Sequence, residues 1–173
     1  VYYECGGCQL QHLAYQAQLD FKKDLLMQAL EKFKPAGFRS YKLRPTIGME
    51  EPWHYRNKAQ FQLRKNKKTQ QIEAGLYQAN SHELVPLIDC LVQEPQTQKV
   101  MNTVVELLNK YDLPIYDERS NSGIFRTIMV RVGIKTGELQ VVFITRSQKF
   151  PQKNAIIRDI NQQLPEVVSI MQN

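Results

Sequence analysis

From Tyr55 to Lys65 the chain alternates with a period of two: Tyr55, Ala59, Phe61 and Leu63 on one side, Arg56, Lys58, Gln60, Gln62 and Arg64 on the other. That pattern suits one conformation, a strand with a buried apolar face and a wet, basic one. It predicts a sheet covered on one side only, which favours hairpins over a doubly wound parallel core. The loop Lys65-Asn66-Lys67-Lys68 turns the chain into an antiparallel partner over Ile72 to Tyr77. A third strand over His82 to Leu87 follows the Asn80-Ser81 turn.

The rest of the chain fits this frame. Apolar residues at three- and four-residue spacing (Phe21, Leu25, Ala29, with Leu26, Leu30 and Phe33) predict a first helix from about Leu13 to Phe33, ended by Pro35 and Gly37. A second helix, roughly Gln96 to Tyr111, buries Val100, Val104, Leu107, Leu108 and Tyr111. A hairpin follows: Ile124, Ile128, Val130, Val132 and Ile134 mark its first arm, Thr136-Gly137-Glu138 its turn and Leu139 to Thr145 its second arm. A third helix over about Gln152 to Gln163 leads into a strand over Val167 to Met171. With no repeat or long linker, the expectation is one compact α+β unit with a largely antiparallel sheet of hairpins and about three helices.

With 173 residues the chain is long enough for a true core, and 42% hydrophobic and 23% charged residues are ordinary for a soluble domain. No apolar run approaches the roughly 18 residues of a membrane span. The start, Val1-Tyr2-Tyr3-Glu4-Cys5, has neither a signal-peptide pattern nor an initiator Met, so Val1 reads as a cut end. A cytoplasmic, monomeric protein is expected. The formal charge of +6 and pI near 9.2 suit a partner that is a polyanion.

Cys5, Cys8 and Cys90 are the only cysteines, an odd number unlike a secreted disulfide framework. Cys5-Gly6-Gly7-Cys8 has three chemical uses: half a zinc site, a thiol redox pair, or part of an iron–sulfur ligand set. The two glycines let the backbone curl so that both sulfurs face one ion. Cys90, with His12 or His82, could complete a tetrahedral set, but the spacings match no standard finger. Equally, Cys90 could be a small buried apolar residue.

Alternation sets Arg56, Lys58 and Arg64 on one sheet face at about 7 Å per two-residue step, comparable with the step between phosphates of a nucleic-acid strand. Lys65, Lys67 and Lys68 extend the row, no acid interrupts it from Arg56 to Lys68, and Trp53, His54 and Tyr55 offer stacking surfaces at its start. The bland alternative is a solvated outer face, which usually mixes its charges. Parity in the hairpin puts Arg126 and Arg131 on opposite faces, so only one can join this surface; Arg131 is the candidate. No catalytic residue can be named. The eight glycines form no G-x-G-x-x-G and no βαβ series would hold one, so S-adenosylmethionine has no seat here. No Ser, His and acid form a triad, and Cys90 lies in an apolar stretch that would dull its thiol.

Five segments, in order, resemble the RNA uracil-5-methyltransferases of ribosomal and transfer RNA. They are Cys5-Gly6-Gly7-Cys8-Gln9-Leu10-Gln11-His12-Leu13 with Tyr15, and Trp53-His54-Tyr55-Arg56-Asn57-Lys58. Next come Gly75-Leu76-Tyr77 with Ser81-His82, Leu87-Ile88-Asp89 and Cys90, then Arg126 to Thr145, and last Ser169-Ile170-Met171-Gln172-Asn173. In that family a β-barrel RNA-binding domain comes first, a central domain with a 4Fe–4S cluster next, and a Rossmann-like methyltransferase domain last. The resemblance places residues 1–173 in the central domain and implies Cys5, Cys8 and Cys90 as three cluster ligands, with the fourth just upstream of Val1. Thr127 departs from the pattern, standing where many relatives have His.

The resemblance thus implies a piece of an S-adenosylmethionine-dependent enzyme that makes 5-methyluridine in RNA, with 23S ribosomal RNA favoured over transfer RNA. The piece would grip RNA through Arg56, Lys58, Arg64, Lys65, Lys67, Lys68 and Arg131 and be inactive alone, the methyl donor bound by the absent catalytic domain. The alternatives are a free-standing nucleic-acid-binding module with a structural metal, and a thiol redox protein that forms a reversible Cys5–Cys8 disulfide.

Overall fold

The computed structural model describes residues 2–173. They divide into two compact units where the alternation and spacing suggested one: residues 8–52, and residues 2–7 together with 53–173. Among the described residues no helix is long and apolar enough to cross a membrane.

The smaller unit is built on α1 (Tyr15–Lys32). The extended segment after it returns to the helix: the Tyr15 hydroxyl accepts from the Met49 N–H at 2.7 Å, and the Thr46 hydroxyl donates to the Leu19 carbonyl at 2.9 Å. Gly48 passes so close that a Cβ there would sit 2.9 Å from Leu19 Cδ1. The apolar stripe read from the sequence is present, but it is not buried. Phe21, Leu25, Leu26 and Phe33 are 41%, 49%, 51% and 75% exposed, and no residue of α1 is buried. Periodicity reports which residues share a helix face; it does not supply the surface that covers them.

The larger unit is a six-stranded sheet with two helices against one face. In chain order it contains β1 (Lys58–Lys65), β2 (Ile72–Tyr77), β3 (Leu84–Pro86), α2 (Pro95–Lys110), β4 (Phe125–Val132), β5 (Leu139–Thr145), α3 (Lys153–Gln163) and β6 (Val167–Gln172). The sheet order is β3-β2-β1-β4-β5-β6, antiparallel except for the β5–β6 pair, which α3 connects. The fold is α+β, as the sequence predicts, although the third strand is only three residues long.

Ala59, Phe61 and Leu63 of β1 join Ile128, Val130 and Val132 of β4 and Val141 and Phe143 of β5 beneath the helices. From α2 come Val100, Met101, Val104, Leu107 and Leu108, and from α3 Ile156 and Ile160. Helix α2 starts where the Glu94 carboxylate accepts the Gln96 and Thr97 N–H groups, at 2.8 and 3.3 Å, with Pro95 in the first turn, where its missing N–H costs nothing. Asn109 ties the other end of α2 to the sheet, exchanging hydrogen bonds with both the N–H and the carbonyl of Ile72.

Asp159 joins the two helices. Its carboxylate is 5% exposed and accepts from Lys110 Nζ at 2.7 Å, the Tyr111 hydroxyl at 2.8 Å and the Arg158 guanidinium at 3.1 Å. These donors, Lys110 first, pull its pKa from the ordinary 3.8 to about 2. A carboxyl whose folded value is depressed adds stability above its unfolded pKa and loses that contribution as pH falls through the folded one. The melting temperature should therefore drop between about pH 4 and pH 2 by more in the native chain than in Asp159→Asn. Parallel curves for the two proteins over that window would show that the triad contributes nothing.

Candidate nucleic-acid interface

The face of the sheet away from the helices carries the predicted basic residues, and register decides what each one meets. Across β1 and β4, Lys58 lies opposite Arg131, Gln60 opposite Met129 and Gln62 opposite Thr127. Lys58 and Arg131 are both exposed. Neither has an ion pair among the described residues. Like charges directly opposite on a sheet repel. An exposed Lys–Arg pair held side by side is thus relieved by a shared anion.

Arg64 and Lys65 have different surroundings. Arg64 faces its β2 partner Glu73 at 3.2 Å and reaches Glu83 at 3.6 Å, while Lys65 meets Asp112 at 2.8 Å. The acid-free row seen along the sequence is therefore interrupted in space by acids from other segments. Beyond Lys65 the chain makes a six-residue turn, 66–71, that exposes Lys67 and Lys68. Asn66 builds it, accepting the Lys68 and Thr69 N–H groups at 2.9 and 3.2 Å while its own amide donates to Glu73. Arg56 is half-buried below the start of β1. Its backbone N–H donates to the Val92 carbonyl and its carbonyl accepts from Glu94. Trp53, His54 and Tyr55 sit in the same crossing, with the His54 N–H on the Leu91 carbonyl and Nδ1 2.9 Å from the Gln93 carbonyl oxygen.

Arg126 and Arg131 are both exposed, where a strict two-residue count sets them on opposite faces. The β4–β5 register shifts between Phe125 and Thr127. Phe125 points into the core on one side of the bulge and Ile128 on the other, so Arg126 is exposed beside a residue of odd number just as Arg131 is exposed beside residues of even number. The Arg126 guanidinium lies over the Tyr116 ring, 4.7 Å from its centroid. Thr127, where a His was expected, is 5% exposed and its hydroxyl donates to Gln62 Oε1 at 2.9 Å.

Nothing in the local pattern signalled the aromatic groups beside the 66–71 turn. Tyr77 and His82 stack with ring centroids 5.3 Å apart and planes 10° apart. Burial, with the Glu118 carboxylate nearby, raises the Tyr77 hydroxyl pKa. Tyr116 faces this region from the segment after α2.

The three cysteines are half-buried thiols. Cys5 pairs with Gln78 beside the end of β2, where the Gly6 N–H donates to the Tyr77 carbonyl and the Gly7 N–H points at Cys5 Sγ from 3.4 Å. An amide aimed at sulfur is the kind of bond that steadies a metal-binding thiolate. Gly6 allows the approach, since a Cβ would lie 2.9 Å from both Ala79 N and Tyr77 O. Cys90 lies in the loop before α2, its N–H on the Asp89 carboxylate at 2.8 Å and its carbonyl accepting from Gln93. Its neighbours Ile88 and Leu91 are 81% and 50% exposed, so the apolar setting read from the sequence is an exposed loop. Cys8 belongs to the smaller unit. Among the described residues no three His, Cys, Asp or Glu side chains gather as a metal ion requires.

No protein-family model matches the chain. It is 74% identical over all 173 residues to a protein of Enterococcus faecalis named an uncharacterized RNA methyltransferase, of which it covers 38%. It is 58% identical over the same span to a Listeria innocua protein and 51% identical to a Streptococcus pneumoniae one, both named the same way, covering 38% and 37% of them. The chain thus spans little more than a third of these relatives. In three dimensions it resembles the Pyrococcus abyssi tRNA (uracil-54, C5)-methyltransferase solved with S-adenosyl-L-homocysteine, with a TM-score of 0.65 and 24% identity, covering 88% of this chain and 34% of that one. Along its whole length, then, the chain is similar to one part of each of these proteins named RNA methyltransferases.

Proposed function

We propose that this chain is the RNA-gripping part of an S-adenosylmethionine-dependent RNA (uracil-C5) methyltransferase. The observation that carries the reading is the Lys58–Arg131 pair, two like charges in register on an exposed sheet face with no acid paired to either among the described residues. The relatives' names support the reaction class, and the likeness of fold to a uracil-C5 enzyme supports the choice of base. Methyl transfer itself is assigned to the larger share of the protein, outside residues 1–173. Arg56, Lys67 and Lys68 extend the grip, while Arg64 and Lys65 are occupied by their carboxylate partners.

Changing both Lys58 and Arg131 to Ala should weaken RNA binding across all sequences and lower the slope of log affinity against log salt by about 2. An unchanged slope in a salt titration would remove this assignment. Running a 23S ribosomal RNA fragment against transfer RNA decides the substrate class; tighter binding of the ribosomal fragment is the proposed outcome.

We also propose that Cys5, Cys8 and Cys90 become cluster ligands only in the longer protein, where a fourth donor joins them. That protein, purified without oxygen, should contain about four irons per chain. An iron-free preparation whose three thiols titrate freely would refute it.

A further inference from the structure

Beside the basic face lies a cleft of about 570 Å³, between the 66–71 turn and the segment Ile115–Arg119. Its volume falls in the range of sites for single small molecules, about 300–1,000 Å³. One wall is the Tyr77–His82 stack. The His82 side chain is 77% exposed, so the ring face away from Tyr77 is open. The other wall holds Tyr116, oriented by its hydroxyl on Asn121 at 3.2 Å and by the Arg126 guanidinium over its ring.

Charge in the cleft is divided. Lys67, Lys68 and Arg119 are exposed at the rim without an ion pair among the described residues. Glu83 and Glu118 line it as well, Glu118 held by His82 Nδ1 at 3.1 Å. Asp117 shapes the wall: its carboxylate accepts the Ser120 N–H at 2.9 Å, the chief reason its pKa is lowered. A channel for phosphates alone would not carry these carboxylates. A nucleotide presents both signs at once, with anionic phosphate on one side and amino or imino donors on the edge of its base. Flat rings for its π-face, lysines for its phosphate and carboxylates for its edge are all within this one cleft.

We infer that the cleft takes one unstacked nucleotide of the bound RNA, its base on the open face of His82 and its phosphate against Lys67 and Lys68. The inference rests on the RNA-binding reading above and adds a selectivity to it: RNA with an extruded base over continuous duplex.

Two RNAs of equal length and charge test it, one a duplex and one carrying a single bulged 2-aminopurine. The chain should bind the bulged RNA more tightly and quench its 2-aminopurine emission. His82→Ala should abolish the quench and lower affinity for the bulged RNA about five- to a hundredfold, the range for losing a base–aromatic stack, with duplex affinity unchanged. Tyr116→Ala should act in the same direction and Tyr116→Phe should restore the native result; His82, being exposed, can be removed without disturbing the fold. Equal affinity for the two RNAs, with emission unaltered and both variants silent, overturns the cleft and leaves the Lys58–Arg131 grip standing. If neither RNA binds, the RNA-binding reading falls and this one with it.

Discussion

Phe125→Ala should destabilise the larger unit by about 3–5 kcal/mol, the range for removing a large aromatic side chain from a core. Phe125 is fully buried at the bulge of β4 and meets Phe143 and Phe150 edge to face, with centroids 6.0 and 4.9 Å away. Phe143 and Phe150 also pack edge to face on each other, so the truncation leaves two rings without a shared partner and a hole between interior strands that can close only in part. Leu25→Ala in α1 provides the contrast. That side chain is 49% exposed, and its loss should shift stability by no more than about 0.5 kcal/mol. Urea unfolding followed by the single tryptophan, Trp53 in the larger unit, reads the first variant directly. Far-UV dichroism covers both. A Phe125→Ala midpoint close to that of the native chain would show that the aromatic cluster is not a stabilising centre. A large loss for Leu25→Ala would show that the α1 stripe is covered after all.

The parts of this fold that were legible in the sequence are those set by local periodicity. β1 shows alternating exposure along Lys58–Arg64 because its side chains must point to opposite faces, and α2 buries the stripe its spacing announces. What the sequence could not show is which residue stands opposite which. Glu73 neutralises Arg64 only because the β1–β2 register pairs them, and a slip of one residue would have separated the two. Asp112, which meets Lys65, is far away along the chain. The bulge near Arg126 has no glycine at its centre to announce it, so a strict two-residue count misplaced that side chain. The stacked Tyr77 and His82 come from opposite sides of a short turn, and Tyr116 reaches the same cleft from a different hairpin. A basic stripe is a local property, legible in one strand; a cleft is assembled from three segments and is not.

Gly123→Ala should cost about 2–5 kcal/mol, a sum of two separable effects. The backbone at Gly123 has φ +91°, a left-handed conformation that costs an L-residue roughly 1–2 kcal/mol. In addition, the new Cβ would fall on the Ile115 carbonyl oxygen, with the carbonyl carbon 2.6 Å and Tyr116 Cα 2.8 Å away. These are backbone atoms, so no rotamer change relieves the overlap. The chain must instead open the Ile124 N–H to Pro114 carbonyl bond, 2.8 Å, or the Tyr116 N–H to Phe125 carbonyl bond, 2.9 Å. Gly137→Ala isolates the first effect. That glycine has φ +71° and nothing within 4 Å of the position its Cβ would take, so only the conformational cost of about 1–2 kcal/mol applies. The difference between the two variants measures the clash, and its location gives it a functional signature. Opening the Ile115–Tyr116 backbone moves the Tyr116 wall of the cleft while leaving Lys58 and Arg131 in place. Gly123→Ala protein kept folded at low temperature should therefore bind duplex RNA like the native chain and lose its preference for a bulged base. Gly137→Ala should retain that preference. Equal destabilisation by the two substitutions would mean that the segment carrying Tyr116 gives way without cost, and the wall would then be too soft to grip a base.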